Sequence, residues 1–318
     1  MDWEKLERFY LFRLFSKISS FSKPFLAFPS ALMPGYASKS MNRRTFLKYA
    51  LYGGATALLG SYPVLIERNI VQVNRYKIPI TNLPPSFNGF TLAQLTDLHL
   101  GFLVSESFVE GIVNRTNRLR TDLIVCTGDY VHERNTIQQI DKVWPILSKL
   151  KAKHGVYSVL GNHDHWADSD RSLYWLKRTG QNIRHECKSI YKGSDRILIG
   201  GAGDYWEDEL KIDKAFSCSD ENECRLLLSH NPDSVDSVFN TTLSLVLSGH
   251  THGGQVVIPF FGPPMLPVKN KDYSSGLIAT PKTQLFISRG IGWAIYPIRF
   301  NCYPEIAVLE LVNPRLIA

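Results

Sequence analysis

The stretch Gly249-His250-Thr251-His252-Gly253-Gly254 places two histidines one residue apart between glycines. It follows the apolar run Leu243–Leu247, which has the length and composition of a buried strand. Alternate side chains of an extended segment lie on one side, so His250 and His252 can face the same site. The flanking glycines permit tight turns and a close approach of the backbone. The pattern therefore indicates a polar site directly beyond a strand end.

Four further polar signatures occupy the same kind of position, just after an apolar strand candidate. They are Asp97-Leu98-His99, Gly128-Asp129, Gly161-Asn162-His163-Asp164 and Ser229-His230. Each signature alone is weak evidence, because a lone Asp-x-His or a Gly-Asp turn often has only a structural role. Five of the nine histidines lie in the five signatures, however, and core packing does not explain that clustering. Loops that follow the strands of an α/β sheet converge at one edge, so the signatures predict a single site there.

From Phe90 onward, strands and helices are predicted to alternate, and the sequence has no internal repeat. Val71–Gly89 is expected to form an edge strand and a connector. The other strand candidates are Thr91–Thr96, Asp122–Thr127, Val156–Leu160, Ile197–Ile199, Arg225–Ser229, Leu243–Leu247, Gln255–Ile258, Gly276–Ala279, Thr283–Ser288 and Glu305–Leu311. The helix candidates are Ser107–Leu119, Ile137–Leu150, Asp170–Thr179 and the shorter Asp233–Phe239. This alternation predicts a layered α/β domain.

The residue types in the five signatures are ligands of divalent metal ions. Carboxylate oxygens suit hard ions such as Mn²⁺, and imidazole nitrogens suit Fe and Zn. Two ions about 3.5–4 Å apart, bridged by a carboxylate, can activate a water molecule and clamp a phosphate group. The signatures therefore predict two divalent cations, with Mn²⁺ as the expected activator and Fe or Zn as alternatives. No motif indicates a Ser or Cys nucleophile.

On these signatures the chain resembles the calcineurin-like metallophosphoesterases, over about Phe90 to Leu311. Three further stretches resemble the membrane-associated bacterial branch of that family, which is related to the UDP-2,3-diacylglucosamine pyrophosphatases. They are Ser248–Gln255, Ser288–Gly292 and Pro297–Cys302. The resemblance implies a four-layer α/β/β/α sandwich with its site at the sheet edge. It also implies a phosphoester hydrolase in which hydroxide held between two metals attacks phosphorus.

The resemblance further implies a role for each residue of the site. Three residues are implied for the first metal: Asp97, His99 and His252. Three are implied for the second metal: Asn162, His230 and His250. Asp129 is implied to bridge the two ions, and His163 to lie over the phosphate as an electrostatic stabiliser or proton donor, with Asp164 orienting it. His132 is expected in a surface loop, and a supporting role near Asp129 is the alternative.

The net charge of +7 is concentrated at the N-terminus. Residues 1–50 hold nine Lys/Arg and three Asp/Glu, a net charge of +6, which leaves +1 for the rest of the chain. The folded domain is therefore not expected to bind nucleic acid through a basic face. Residues 1–36 mix aromatic and basic side chains, which suits either a helix in a membrane interface or a disordered tail.

The segment Asn42–Lys48, with its Arg-Arg pair, precedes the uncharged run Tyr49–Ile66 and resembles a twin-arginine export leader. A membrane anchor and a buried core helix are the alternatives, because a spanning helix needs about 20 apolar residues. We divide the chain into residues 1–70, a basic segment with a signal or membrane anchor, and residues 71–318, the catalytic domain. The protein is expected at the inner membrane, with the side left open, and Met41 is an alternative start.

The segment Val256–Pro267 leaves directly from the predicted site and contains four prolines. It is either buried lid packing or a surface for acyl chains or a membrane. The leading interpretation is hydrolysis of UDP-2,3-diacylglucosamine, a lipid A precursor, to UMP and a lipid monophosphate. The second is an exported phosphodiesterase or phosphatase with another substrate. A non-catalytic metal-binding scaffold is a third, which the complete ligand set and His163 disfavour.

Overall fold

Two β-sheets and their covering helices form the body of the protein in a computed structural model that describes residues 42–217 and 223–316. The strands are β1 Gln72–Pro79, β2 Phe90–Leu95, β3 Leu123–Thr127, β4 Val156–Val159, β5 Cys187–Lys192, β6 Asp195–Gly201, β7 Arg225–Leu228, β8 Leu245–Ser248, β9 Gly276–Ala279, β10 Gln284–Ile287 and β11 Glu305–Val312. The α-helices are α1 Arg43–Leu65, α2 Glu106–Leu119, α3 Ile137–Leu147, α4 Asn162–Arg178 and α5 Ile212–Ala215. Short 3₁₀ helices cover Glu67–Asn69, Pro85–Phe87, Pro232–Asp236, His252–Gly254 and Pro314–Leu316.

The strand order brings the five signatures to strand ends. The first sheet has the order β1-β11-β2-β3-β4, in which β2, β3 and β4 run parallel. The second has the order β5-β6-β7-β8-β10-β9, in which β6, β7, β8 and β10 run parallel. The signatures follow β2, β3, β4, β7 and β8, so their predicted placement after strands is confirmed.

Both faces of the first sheet are covered by apolar side chains. Leu123 and Val125 of β3 join the core between the two sheets, where they meet residues such as Leu226 of β7. The alternate residues Ile124 and Cys126 join the core beneath α2, α3 and α4. Because both faces are buried, β3 is apolar throughout rather than alternating with polar residues.

Shorter elements cover the outer face of the second sheet. Leu198, Leu227 and Val246 pack there with Phe216 and Tyr273. Within the described ranges this layer consists of α5, a 3₁₀ helix and loops. The predicted α/β/β/α class is therefore confirmed, with a thin fourth layer.

The segment Gln255–Ile258, predicted as a strand, is a loop. Val256 makes an isolated bridge to Phe300, and Ile258 makes one to Gly262. Gln255 has a φ of 58°, which turns the chain out of an extended path. The proline that follows Ile258 offers no N–H to a ladder. The strand prediction was therefore wrong at this position.

Three other local predictions needed correction. Helix α4 is broken at Asp168, whose φ of −175° and ψ of 108° are not helical, and the predicted helix Asp170–Thr179 corresponds to the part after this break. The part that begins at Asn162 was not predicted, and the Asp164 carboxylate caps its first turn by accepting a hydrogen bond from Gly161 N at 2.9 Å. The predicted helix Asp233–Phe239 is a 3₁₀ helix ending at residue 236. Strand β5 was not predicted, because Ile190 is its one fully buried residue and the apolar pattern is weak.

Helix α1 covers most of the uncharged run after the Arg-Arg pair. The Asn42 side chain accepts a hydrogen bond from Thr45 N at 2.8 Å and caps the first turn. Among the described residues, no helix combines the length and apolar character needed to cross a membrane. Residues 1–36 lie outside the described ranges, and the predicted boundary at residue 70 stays a prediction.

Candidate metal centre

Two clusters of buried donor atoms lie beyond the strand ends. The first cluster is Asp97, His99 and His252, and the second cluster is Asp129, His230 and His250. In each cluster the three side chains offer ligand atoms that lie within 4.8 Å of one another. This spacing allows one cation to contact all three members of a cluster. Six of the seven predicted ligands are thus brought together in the expected grouping.

Asp129 contacts both clusters. Its Oδ2 lies 3.2 Å from His230 Nε2 and 3.6 Å from His99 Nε2. Its Oδ1 accepts a hydrogen bond from the backbone N of His163 at 2.9 Å. One carboxylate therefore lies where a ligand shared by two cations would have to be.

The backbone at the clusters is left-handed. The φ angle is 54° at Asp97, 50° at His99, 56° at Asp129, 68° at His250 and 52° at His252. Residues other than glycine rarely adopt this conformation, and each instance costs on the order of 1 kcal/mol or more. Five strained positions in one small region persist because hydrogen bonds around them hold the loops in place.

The Asp97 carboxylate is held by two neighbouring loops. It accepts hydrogen bonds from Thr96 Oγ1 at 2.7 Å and from the backbone N of His250 at 3.0 and 3.1 Å. A Cβ atom on Gly249 would collide with this carboxylate and with Thr96. Glycine is therefore required where the loops after β2 and β8 cross.

Backbone carbonyls orient the histidines of the second cluster. His230 Nδ1 lies 2.7 Å from Thr127 O, and His250 Nε2 lies 3.0 Å from Pro267 O. A carbonyl only accepts, so these ring nitrogens carry protons. The opposite nitrogens, His230 Nε2 and His250 Nδ1, lie 3.1 Å apart at the centre of the cluster. In the neutral rings they present lone pairs there, which is the orientation of a metal ligand.

Asn162, the seventh predicted ligand, has a buried side-chain oxygen atom without a hydrogen-bond partner among the described residues. The residue is 1% exposed, and the unpaired atom is Oδ1. The preceding residue, Gly161, lies against Asp129 and His230 of the second cluster. An unpaired buried acceptor costs about 1–3 kcal/mol, and a bound cation would satisfy it. The donor set therefore fits divalent cations.

The His163 ring is oriented by His132 and not by Asp164. His163 Nδ1 donates to His132 O at 2.8 Å, which leaves Nε2 free. The Asp164 carboxylate instead accepts from the backbone N atoms of Asp129 and Gly161, both at 2.9 Å. The predicted Asp164–His163 contact was wrong, because consecutive residues of a helical turn point about 100° apart. Asp164 ties α4 to the loop that carries Asp129.

His132 lies at the centre rather than in a free surface loop. Its ring is half-buried and stacks on His163, with centroids 5.9 Å apart and an interplanar angle of 28°. The expectation of a surface position was therefore wrong, and the alternative, a supporting role near Asp129, agrees with the contacts.

The electrostatics of the first cluster favour neutral imidazoles. Burial raises the pKa of Asp97 to about 6. Burial also lowers the pKa of His99 and of His252 well below the usual value, helped at His252 by the charge of Arg299. Neutral imidazole is the form that binds a metal.

The second cluster holds an ion pair. Burial opposes the charged form of His230, but the Asp129 carboxylate outweighs it and raises the pKa of His230 to about 10. Burial likewise opposes the charge of Asp129, yet His230 holds the pKa of Asp129 well below its usual range. A proton on His230 therefore contributes a positive charge beside the carboxylate.

Three bordering residues were not predicted to belong to the site. Trp206 packs on His250 with centroids 4.4 Å apart, and Trp166 packs on His163 at 4.8 Å. Arg299, fully buried, lies 3.3 Å from His252 Nδ1. Trp166 closely follows the Gly-Asn-His-Asp signature, and this proximity could have indicated that it borders the site. Trp206 lies near no such motif.

Comparisons with known proteins agree with this geometry. Residues 90–254 match the family described as calcineurin-like phosphoesterase. The uncharacterized metallophosphoesterase YkuE of Bacillus subtilis (strain 168) is 32% identical, over 86% of this chain and 98% of its own length. Phosphodiesterase YaeI of Escherichia coli (strain K12) is 30% identical, over 86% of this chain and 100% of its own. The UDP-2,3-diacylglucosamine pyrophosphatase LpxG of Chlamydia trachomatis serovar D is 25% identical, over 83% and 98%.

Proposed function

The chain belongs to the calcineurin-like phosphoesterase family, a family of dimetal phosphoester hydrolases, and from that premise we propose that its two clusters form one active centre. In this proposal one cation is held by the first cluster, the other by the second cluster with Asn162, and Asp129 is shared. The observation that carries the proposal is the pair of clusters, each with donor atoms within 4.8 Å, joined by a single carboxylate.

The chain's own residues have defined tasks in this proposal. When bound, two cations would activate water and neutralise charge on the phosphoryl group. His163, fixed through Nδ1 by His132 O, has Nε2 free, and with a proton on Nε2 as well the ring would stabilise that charge or donate this proton to the leaving group.

We propose Mn²⁺ as the activating ion, with Fe and Zn as alternatives. The mixed carboxylate, amide and imidazole donors support this choice, because they suit ions of intermediate character. The test uses chelator-treated protein, reloaded separately with each ion, and follows hydrolysis of bis(p-nitrophenyl) phosphate. The highest turnover is expected with Mn²⁺. Higher turnover with Zn or Fe would contradict the choice.

We propose UDP-2,3-diacylglucosamine as the substrate, cleaved to UMP and the lipid monophosphate. Two observations support it: the LpxG relative carries that activity in its name, and the loop Val256–Pro267, which follows His252, exposes large apolar side chains. In that loop Phe260 is 105% and Phe261 86% exposed. Acyl chains need such a surface within reach of the centre. Pure protein with Mn²⁺ should release UMP, and absence of UMP while the synthetic diester is hydrolysed would remove this substrate.

A phosphodiesterase or phosphatase that acts on another substrate is the second candidate. The Escherichia coli relative, at 30% identity, is named a phosphodiesterase, against 25% for the LpxG relative. Phe260→Asp with Phe261→Asp separates the candidates. The lipid interpretation expects a much larger loss with UDP-2,3-diacylglucosamine than with the synthetic diester. Equal losses with both substrates would favour the second candidate.

We propose that residues 1–70 associate the protein with the inner membrane, either as a signal or as an anchor. The basic residues and the Arg-Arg pair before the uncharged run support this. Fractionation of native cells should recover the chain with the membrane, and a reporter fused after residue 318 would identify the side. Recovery of the whole population in the soluble fraction would contradict it.

A further inference from the structure

An exposed arginine lies on the aromatic border of the metal centre. Cζ of Arg134 is 4.0 Å from the centre of the Trp166 ring, and the Trp166 ring in turn packs on that of His163 at 4.8 Å. A guanidinium over an indole is attracted to the negative face of the ring. Trp166 therefore holds the positive charge of Arg134 beside the histidine that we assign to the phosphoryl group.

Backbone hydrogen bonds fix the loop that carries Arg134. On one side of it, Asn135 N donates to Trp166 O at 3.0 Å. On the other side, His132 O accepts the hydrogen bond from His163 Nδ1 at 2.8 Å. Residues before and after Arg134 are thus bonded to the start of α4, which also carries His163. The position of the arginine relative to His163 is therefore set by the backbone.

The guanidinium of Arg134 has no anionic partner within the described part of the chain. Its side chain is exposed, and it forms neither a hydrogen bond nor an ion pair there. Glu133 precedes it in the sequence, and the Glu207 carboxylate contacts the same indole, but neither forms an ion pair with it. Glu207 instead accepts a hydrogen bond from Trp166 Nε1 at 2.7 Å. The donors of Arg134 are therefore open to a ligand that comes from solvent.

A second phosphate group is the anion that this arrangement fits. The planar guanidinium matches two phosphate oxygens at once, which makes arginine a preferred phosphate ligand. Arg134 lies on the His163 side of the centre, because Trp166 contacts both residues. In our assignment the leaving group departs on that side. In a diphosphate diester the leaving group is itself a phosphate, so it brings an anion toward Arg134.

We propose that Arg134 binds the second phosphate of a diphosphate diester whose first phosphate is hydrolysed at the two clusters. Water adds to the first phosphorus, and the bond from that phosphorus to the bridging oxygen breaks. Two phosphate monoesters are released, and the protons of the water go to the products or to solvent. This inference rests on the proposed function, which places the first phosphate at the metal centre. It makes Arg134 a specificity-determining residue for diphosphates, whether or not they carry a lipid.

The test compares two ligands that differ by one phosphorus group. They are UMP and α,β-methylene-UDP, in which a CH₂ group replaces the bridging oxygen and prevents hydrolysis. Calorimetric titrations use the full chain with Mn²⁺ at equal concentration in both solutions. Arg134→Gln should lower the affinity for α,β-methylene-UDP about ten-fold, as expected for the loss of one hydrogen bond to a charged group. The affinity for UMP should change less than about two-fold, because its single phosphate lies at the clusters.

Arg178→Gln is the matched control. Arg178 is also exposed, and it lies over the rings of Tyr174 and Trp175 at 5.9 and 5.8 Å, at the opposite end of α4. This variant removes the same charge and should leave both affinities unchanged. Equal losses for both ligands in Arg134→Gln, or no loss for α,β-methylene-UDP, would overturn the proposal. So would an unchanged chain that does not bind α,β-methylene-UDP.

Turnover of bis(p-nitrophenyl) phosphate by the same preparation separates this inference from the proposed function. If the unchanged chain hydrolyses the diester but Arg134→Gln binds both ligands normally, only the role of Arg134 is refuted. If the chain binds α,β-methylene-UDP through Arg134 but hydrolyses no ester, the diphosphate site stands and the proposed hydrolysis is refuted.

Discussion

The two clusters of the metal centre are built from the same residue types, yet they differ in charge. In the first cluster burial keeps His99 and His252 neutral. In the second cluster Asp129 holds a proton on His230 by raising its pKa to about 10. A metal ligand must be deprotonated. The imidazoles of the first cluster are therefore uncharged before a cation binds, whereas the second cluster holds an additional, charged proton that a cation has to displace. Identical residue types at one sheet edge can thus have different metal affinities.

Removal of the shared carboxylate should have the largest effect. Asp129→Ala deletes the contacts of the carboxylate with His99 and His230. It thereby removes the charge difference between the two clusters, because Asp129 holds the proton on His230. We expect turnover of bis(p-nitrophenyl) phosphate to fall by more than about 10³-fold, beyond the loss typical for one electrostatic stabiliser. Circular dichroism serves as the control for folding. Near-normal turnover at saturating Mn²⁺ would show that Asp129 is not shared.

The second-largest loss of turnover should come from a change that leaves the ligands of both clusters in place. His163→Ala removes a ring that contacts neither cation in our assignment, so turnover should fall by about 10²–10³-fold with unchanged metal content. His165→Ala is the matched control, because His165 is a half-buried histidine on the same helix that pairs with Ser169. It should retain most turnover. Half the metal content in His163→Ala would make His163 a ligand.

The Mn²⁺ affinities of the first and the second cluster should depend differently on pH. His230 is protonated below about pH 10, so affinity at the second cluster should rise about ten-fold per pH unit between pH 7 and 9, since one proton leaves as the cation binds. The pKa of Asp97 is about 6, so affinity at the first cluster should fall below pH 6 and change little above it. Calorimetric Mn²⁺ titrations at several pH values measure both. Parallel pH profiles for the two ions would refute the difference in charge.

The smallest effect should be confined to the first cluster. Thr96→Val keeps the shape but removes the 2.7 Å hydrogen bond to Asp97, so the pKa of Asp97 should rise and affinity there fall about 5–10-fold. Thr116→Val is the matched control, a buried threonine whose hydroxyl donates to Ile112 O within α2. It should leave both affinities unchanged. An equal loss at the second cluster would mean that Thr96 acts on the whole centre.

Much of the centre was predictable because its residues follow strands. Apolar runs identified β2, β3, β4, β7 and β8, and the polar signatures beyond them gave the candidate ligands. Spacing alone indicated that His250 and His252 act together, and the structure places them in different clusters that meet at Asp129. Local sequence carries this information because strand ends determine where loops converge.

The parts that sequence did not predict depend on contacts between distant segments. Thr127 O and Pro267 O orient His230 and His250, and a backbone carbonyl leaves no mark in the sequence. Burial, which sets the pKa of His99, is likewise a property of the assembled fold. The wrong expectation for Asp164 came from the family resemblance, and it fails because adjacent residues on a helix do not face each other.

The central claim is that hydrolysis needs both clusters occupied, and a metal titration tests it most directly. Chelator-treated protein is titrated with Mn²⁺ while bound metal per chain and turnover of bis(p-nitrophenyl) phosphate are followed together. We expect two bound ions per chain, with turnover appearing mainly as the second ion binds. Full turnover in metal-free protein, or with a single ion bound, would contradict it.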